Sequence, residues 1–141
     1  MATSWDQLEH EIMLDVKNAM MVVQLRAETV MKEELYGFYA GGHPKLYVRT
    51  GQLGNSSRVS PLSVSGTTAE FRAYLDKASV HYVVPNKAFT DRGYSSYFST
   101  DEVFDAAEAG TAGIVGRPGF WKRSEQRFEQ ELNNVLGQYF K

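Results

Sequence analysis

Residues 4–35 read SWDQLEHEIMLDVKNAMMVVQLRAETVMKEEL, and the period of their apolar residues sets the architecture of the chain. Ser4-Trp5-Asp6-Gln7 has the form of a capping box, in which the Ser4 hydroxyl accepts from the Gln7 N–H and the Gln7 side chain reaches back, so a helix is predicted to start here. Leu8, Ile12, Val16, Ala19, Val23, Ala27 and Val30 then recur at steps of three or four and form one stripe, with Asp15, Lys17, Gln24, Arg26, Lys32 and Glu33 largely off it. Unbroken to about Leu35, such a helix is roughly 45 Å long at 1.5 Å per residue, more than a domain of this size covers with its own core. Part of it is therefore expected to meet another subunit. Met13, Met20, Met21 and Met31 add adaptable apolar surface that serves either core filling or such a contact.

Outward from the helix, Tyr36 to Pro44 reads as its end, because glycine favours the cap and Pro44 pushes its predecessor out of helical geometry. The period then changes from 3.6 to two. Residues 59–64 and 68–76 read as antiparallel strands around a Ser65-Gly66 turn, the first at an edge because Pro61 cannot donate to a ladder. In the second strand Ala69, Phe71, Ala73 and Leu75 share one face, and Glu70, Arg72, Tyr74 and Asp76 share the other. Val80–Val84 is a short apolar run stopped by Pro85, and residues 86–100 form a long excursion suited to partner contact or mobility. Ser99 or Thr100 caps a short segment through Glu108. The last element is a second amphipathic helix with Trp121, Ser124, Phe128, Leu132, Val135 and Tyr139 on one face, and with Arg127 and Glu131 able to pair one turn apart. The expectation is one α+β domain spanning 1–141: long N-terminal helix, small antiparallel β-sheet, C-terminal amphipathic helix.

Composition narrows the chemistry. The chain has 141 residues, 43% of them hydrophobic, and a net charge of -2 from 15 basic and 17 acidic side chains, so no overall field selects nucleic acid or an anionic membrane. Cysteine is absent, which excludes a disulfide framework, thiolate zinc sites and a Cys nucleophile. The first residues lack the basic start and apolar run of a secretory leader, and no segment approaches 18 uncharged apolar residues, so no membrane role is expected.

No catalytic constellation emerges from the motifs. Gly110, Gly113, Gly116 and Gly119 match neither a P-loop nor a dinucleotide fingerprint and read as a tightly turning loop. His10, His43 and His81 are isolated, and the acidic group Asp101, Glu102, Asp105 and Glu108 lacks calcium-loop spacing and reads as a solvated helix face. We expect no metal, no cofactor and no enzymatic activity. Lys45, Arg49, Arg58 and the group Arg117, Lys122 and Arg123 could contact phosphates, which leaves a small nucleic-acid-associated regulatory module as the alternative reading.

Two blocks of sequence carry a resemblance. Leu35-Tyr36 and Phe38-Tyr39, followed by Tyr47-Val48-Arg49-Thr50-Gly51-Gln52-Leu53-Gly54-Asn55-Ser56, resemble the Y-x-R-T-G-x-L-x-x-S signature of small phage tail-component proteins, the head-tail joining or tail-completion group of long-tailed bacteriophages. Phe104-Asp105-Ala106-Ala107-Glu108-Ala109-Gly110-Thr111, with Arg117-Pro118-Gly119-Phe120 opening the last helix, resembles that family's Y-A-x-x-x-E-x-G-T … R-P-F block. Phe104 stands where the pattern favours Tyr, and Gly119 is inserted before Phe120.

The resemblance implies a structural virion protein, assembled in the host cytoplasm and placed at the head-tail interface. It would be a tail-completion, neck or tail-terminator-type component that forms a homo-oligomeric ring of about six subunits and contacts neck or tail-tube proteins. DNA would at most pass transiently through the lumen, since a mildly acidic chain lacks the Lys and Arg surplus of a phosphate grip. Its interaction residues would be Arg49, Thr50, Gly51, Leu53, Glu108, Gly110, Thr111, Arg117, Pro118 and Phe120. In physical terms, Thr50 and Gly51 form a turn that the Thr side chain stabilises and Leu53 anchors it to the core. Arg49 is either a donor fork for a carboxylate, with Glu108 the first candidate, or a solvated turn residue.

Overall fold

The computed structural model describes residues 4–42, 51–80, 100–110 and 114–140. Helix α1 (Trp5–Ala40) starts where the capping box places it: Ser4 is extended, and its hydroxyl accepts from the Gln7 N–H at 3.2 Å. It runs further than expected, through Tyr36–Ala40 and across Gly37, and ends at Gly41. A glycine inside a helix costs about 1 kcal/mol relative to alanine. Burying Phe38 contributes about 1.5–3 kcal/mol and outweighs it.

Strands β1 (Ser57–Val59) and β4 (Ala73–Leu75) pair antiparallel, as do β2 (Ser63–Ser65) and β3 (Thr68–Glu70). Together they make one bent hairpin. The β1–β4 ladder continues through the Ser60 N–H to the Arg72 carbonyl at 2.8 Å, and the register then slips by one residue, so that Pro61 and Leu62 stand opposite Phe71 as a bulge. The expected strand 59–64 is therefore two short strands, because Pro61 has no N–H to continue the ladder. The turn is Gly66-Thr67 rather than Ser65-Gly66, with Gly66 at φ 56°. The expected alternation holds: Ala69, Phe71, Ala73 and Leu75 are half-buried, while Glu70, Arg72 and Tyr74 are exposed. A 3-10 turn (Lys77–Ser79) leads to the buried Val80. The remaining apolar run 81–84 and the 86–99 part of the expected excursion lie outside the described residues.

Helix α2 (Thr100–Ala109) precedes α3 (Phe120–Tyr139), which packs antiparallel on α1. Three ion pairs track that direction: Arg26 with Glu131 at 2.9 Å, Glu33 with Arg127, and Glu34 with Arg123 at 2.9 Å. The expected Arg127–Glu131 pair within α3 is thus replaced by two pairs to α1, because the facing helix presents opposite charge at both positions.

The core has two parts. Ala19, Val23 and Val135 make one, with Phe71, Leu132 and Leu136 against it. Leu35, Phe38, Leu53, Val80, Phe104, Ala107 and Phe120 make the other, with Tyr39, Leu75 and Trp121 against it. Every layer of the α+β architecture contributes, and no helix among the described residues is long and apolar enough to cross a membrane.

Candidate functional site

The second core cluster brings the two sequence blocks together. Gly51 opens a compact turn at φ 79°, closed by the Asn55 N–H donating to the Gly51 carbonyl at 3.1 Å and the Ser56 hydroxyl to the Leu53 carbonyl at 2.6 Å. Leu53 is buried, as expected of an anchor, and the Gly54 N–H donates to the Tyr39 hydroxyl at 2.9 Å, which ties the turn to the last turn of α1. Arg49, Thr50 and Thr111 lie outside the described residues.

The second block forms a knot between α1, α2 and α3. The Phe38 carbonyl accepts from both Gly41 N–H and Arg117 N–H, each at 3.1 Å. At the end of α2, the Gly110 N–H donates to Ala106 and the Glu108 carbonyl accepts from the Gly119 N–H, both at 2.8 Å. Gly119 sits at φ 78°, a left-handed conformation that an L side chain rarely adopts, and it has no side chain with which to cap α3. Glu108 supplies the cap from another helix: its carboxylate accepts from Trp121 N–H at 3.2 Å and Lys122 N–H at 3.0 Å. A negative group at a helix N-terminus also complements the macrodipole. Glu108 is therefore not a plain solvated face residue; two backbone donors hold it half-buried. Asp105, from the same acidic group, is exposed.

Aromatic packing fills the knot. The Phe120 ring meets Phe38 edge-on at 5.5 Å between centroids, and a Cβ placed on Gly116 would overlap the Phe38 ring. Pro118 contributes its carbonyl, which accepts from Arg123 Nη1 at 2.7 Å. The Arg123 Nε is held by Glu34, which is buried on the core side of α1. Of the basic group Arg117, Lys122 and Arg123, the third is thus engaged internally, while Arg117 and Lys122 are exposed.

The Glu34–Arg123 pair was missed in the sequence. Its signal was present: Glu34 falls four residues after Val30 on the apolar stripe, and a carboxylate there calls for a cation.

Glu108, Tyr39 and Ser56 use polar side-chain atoms to hold backbone, while Glu34 and Arg123 hold each other. Among the described residues no group of three or more His, Cys, Asp or Glu is placed to hold a metal ion.

At the far end of the molecule the described residues leave apolar surface uncovered. Alpha-helical α1 is about 54 Å long and α3 about 30 Å at 1.5 Å per residue. Val135 packs beside Ala19 and Val23, so α3 runs out roughly one turn later, level with the Val16 turn of α1. Beyond that point the stripe continues as Trp5, Leu8 and Ile12, which are 84%, 37% and 45% exposed. No family model, no curated protein and no solved structure matches this chain.

Proposed function

We propose that this chain is a structural virion protein of a tailed bacteriophage, acting at the head-tail interface as a ring component of the tail-completion, neck or tail-terminator type. Its work is binding: it holds copies of itself and neighbouring neck or tail-tube proteins in place. The place in the particle rests on the resemblance of the two sequence blocks. The assembly part is carried by one observation, the uncovered continuation of the core stripe through Trp5, Leu8 and Ile12. An exposed apolar stripe that continues a buried core face is what a subunit contact requires.

The blocks themselves serve this reading as scaffold. Leu53, Glu108, Gly110, Pro118 and Phe120 fix how α1, α2 and α3 meet, and so fix the angle at which each subunit presents its ends. The net charge of -2 suits a ring through whose lumen DNA passes at most transiently without being gripped.

Deleting the reading frame from a phage or prophage genome that carries it tests the proposal. Filled heads and separate tails in electron micrographs are expected, with infectivity restored by the gene in trans. Normally joined, infectious particles overturn it, and strong, salt-sensitive retention of the purified chain on heparin would point instead to the nucleic-acid module.

A further inference from the structure

The hairpin changes character at Ser60. On one side β1 and β4 are fixed to the body of the chain: Ser57 is buried, the Asp76 N–H donates to the Ser56 carbonyl at 2.7 Å, and Arg58 Nε stands 3.8 Å from the Asp76 carboxylate. On the other side none of the residues 61–70 is buried, and the tip from Ser63 to Thr68 is exposed throughout. The registers of the two halves differ by one residue, so the ladder is interrupted where they meet.

The hydrogen bonds show how. In an unbroken ladder the Arg72 N–H would donate to the Ser60 carbonyl, in exchange for the bond that the Ser60 N–H makes to Arg72. Here it donates to the Ser60 hydroxyl at 2.7 Å, and the Ser60 carbonyl accepts instead from Nε2 of Gln24 on α1. Pro61 has no N–H, and Pro61, Leu62 and Phe71 stand outside both ladders. The far half is therefore held down from α1: the Gln24 amide ties its base, and the half-buried Phe71 packs against the Ala19, Val23 and Val135 cluster.

Beside Phe71 there is room. A gap of about 300 Å³ separates Phe71 and Ala73 from Trp121 and Phe128 on α3, and Val23 and Ala27 line it on α1. A side chain with an open flank has fewer contacts to lose on leaving than one enclosed all round.

We infer that residues 61–72 are a hinged arm that lifts off α1 as one unit, pivoting at the Pro61–Leu62 bulge, with Gln24 as its latch. Opening breaks the Gln24 bond and withdraws Phe71, so that the ring and the α1 face at Val23 and Ala27 become accessible together while β1, β4 and the helices stay folded. Such an opening lies between the fraying of a tip and global unfolding. It gives the chain a second conformation whose population a binding partner can shift. The arm goes beyond the ring reading and does not depend on it.

Amide hydrogen exchange and thiol labelling of the dilute chain test it. The absence of cysteine makes Ala27→Cys a single thiol, small enough for a site that is 1% exposed, and Val23→Cys serves if that substitution is poorly tolerated. The amides of β2 and β3 are expected to exchange at least about tenfold faster than those of β1 and β4. The thiol should react with an aromatic disulfide reagent at a rate that low urea barely alters, because a local opening exposes little surface. Gln24→Ala should speed both processes by the same factor, about threefold to tenfold, as expected for one lost hydrogen bond. Gln24→Glu keeps the shape without the donor and should act in the same direction.

A thiol that labels with the steep urea dependence of the α1 and α3 core amides overturns the inference, since Val23 and Ala27 are then uncovered only when the whole chain unfolds. So does a Gln24 variant that speeds exchange in β2 and β3 and leaves the thiol unmoved, which reduces the arm to a fraying tip. Exchange in β2 and β3 no faster than in β1 and β4 overturns it as well. Joined particles in the absence of the gene would remove the virion role and leave the arm standing.

Discussion

Within α1, residues 19–38 and residues 5–16 follow the same apolar period and the same helix geometry. In the first stretch Ala19, Val23, Ala27, Val30 and Phe38 are closed off by α3, the hairpin and the Phe120 knot. In the second, Trp5, Leu8 and Ile12 have the pattern of core residues without a cover among the described residues. Periodicity therefore says that a face is to be buried and leaves open by what. The answer depends on the length of the partner, and α3 stops about one turn beyond Val135.

The largest expected effect falls at the closed end. Phe120 is 2% exposed and packs edge-on against Phe38, so Phe120→Ala should cost about 3–5 kcal/mol, the range for truncating a buried aromatic. Set against a total stability of roughly 5–15 kcal/mol, that loss should appear as a much lower midpoint in urea. A loss below about 1 kcal/mol would mean that the knot is not what holds the three helices together.

The comparison sharpens with one chemistry applied twice on one helix. Leu35→Ala removes a side chain that is 2% exposed and should cost about 2–5 kcal/mol. Leu8→Ala removes one that is 37% exposed and should stay within about 0.5 kcal/mol in dilute solution, where each chain is alone. Raising the protein concentration should open a second difference, with the Leu8→Ala chain assembling less readily in light scattering. Equal stability losses at the two positions in the monomer would break the comparison, since they would show that the first turns of α1 are covered within the chain.

Much of this was legible in the residues. The Ser4 cap, the α1 stripe, the Ala69–Leu75 alternation and the face of α3 each follow from local pattern, and the α+β architecture follows from their order. What escaped depends on meetings between distant segments. Arg127 and Glu131 look like an intrahelical pair worth about 0.3–0.5 kcal/mol, a preference small enough for Glu33 and Arg26 on the facing helix to override. The bulge at Pro61 and Leu62 needs the partner strand before it has a register. Glu108 reads as a solvated helix face until the glycine loop folds α2 back against the start of α3, where Gly119 has left a vacancy for a cap.

Glu108→Gln has the smallest expected effect and probes whether the two ends of the molecule have separate tasks. Glutamine keeps the length of the side chain and one acceptor oxygen, so one of the two backbone donors of Trp121 and Lys122 retains a partner while the other faces an amide N–H₂. The lost cap and the lost negative charge at the start of α3 together should cost about 1 kcal/mol, within the ranges measured for caps and helix-dipole charges. Thermal unfolding of the dilute chain should register that loss. Assembly should change only in proportion to it, because the exposed Trp5, Leu8 and Ile12 lie at the other end of α1 and take nothing from Glu108. If assembly collapses while monomer stability is untouched, the carboxylate belongs to an interface and the division of labour between a closed, load-carrying end and an open, contact-making end fails at its most polar point.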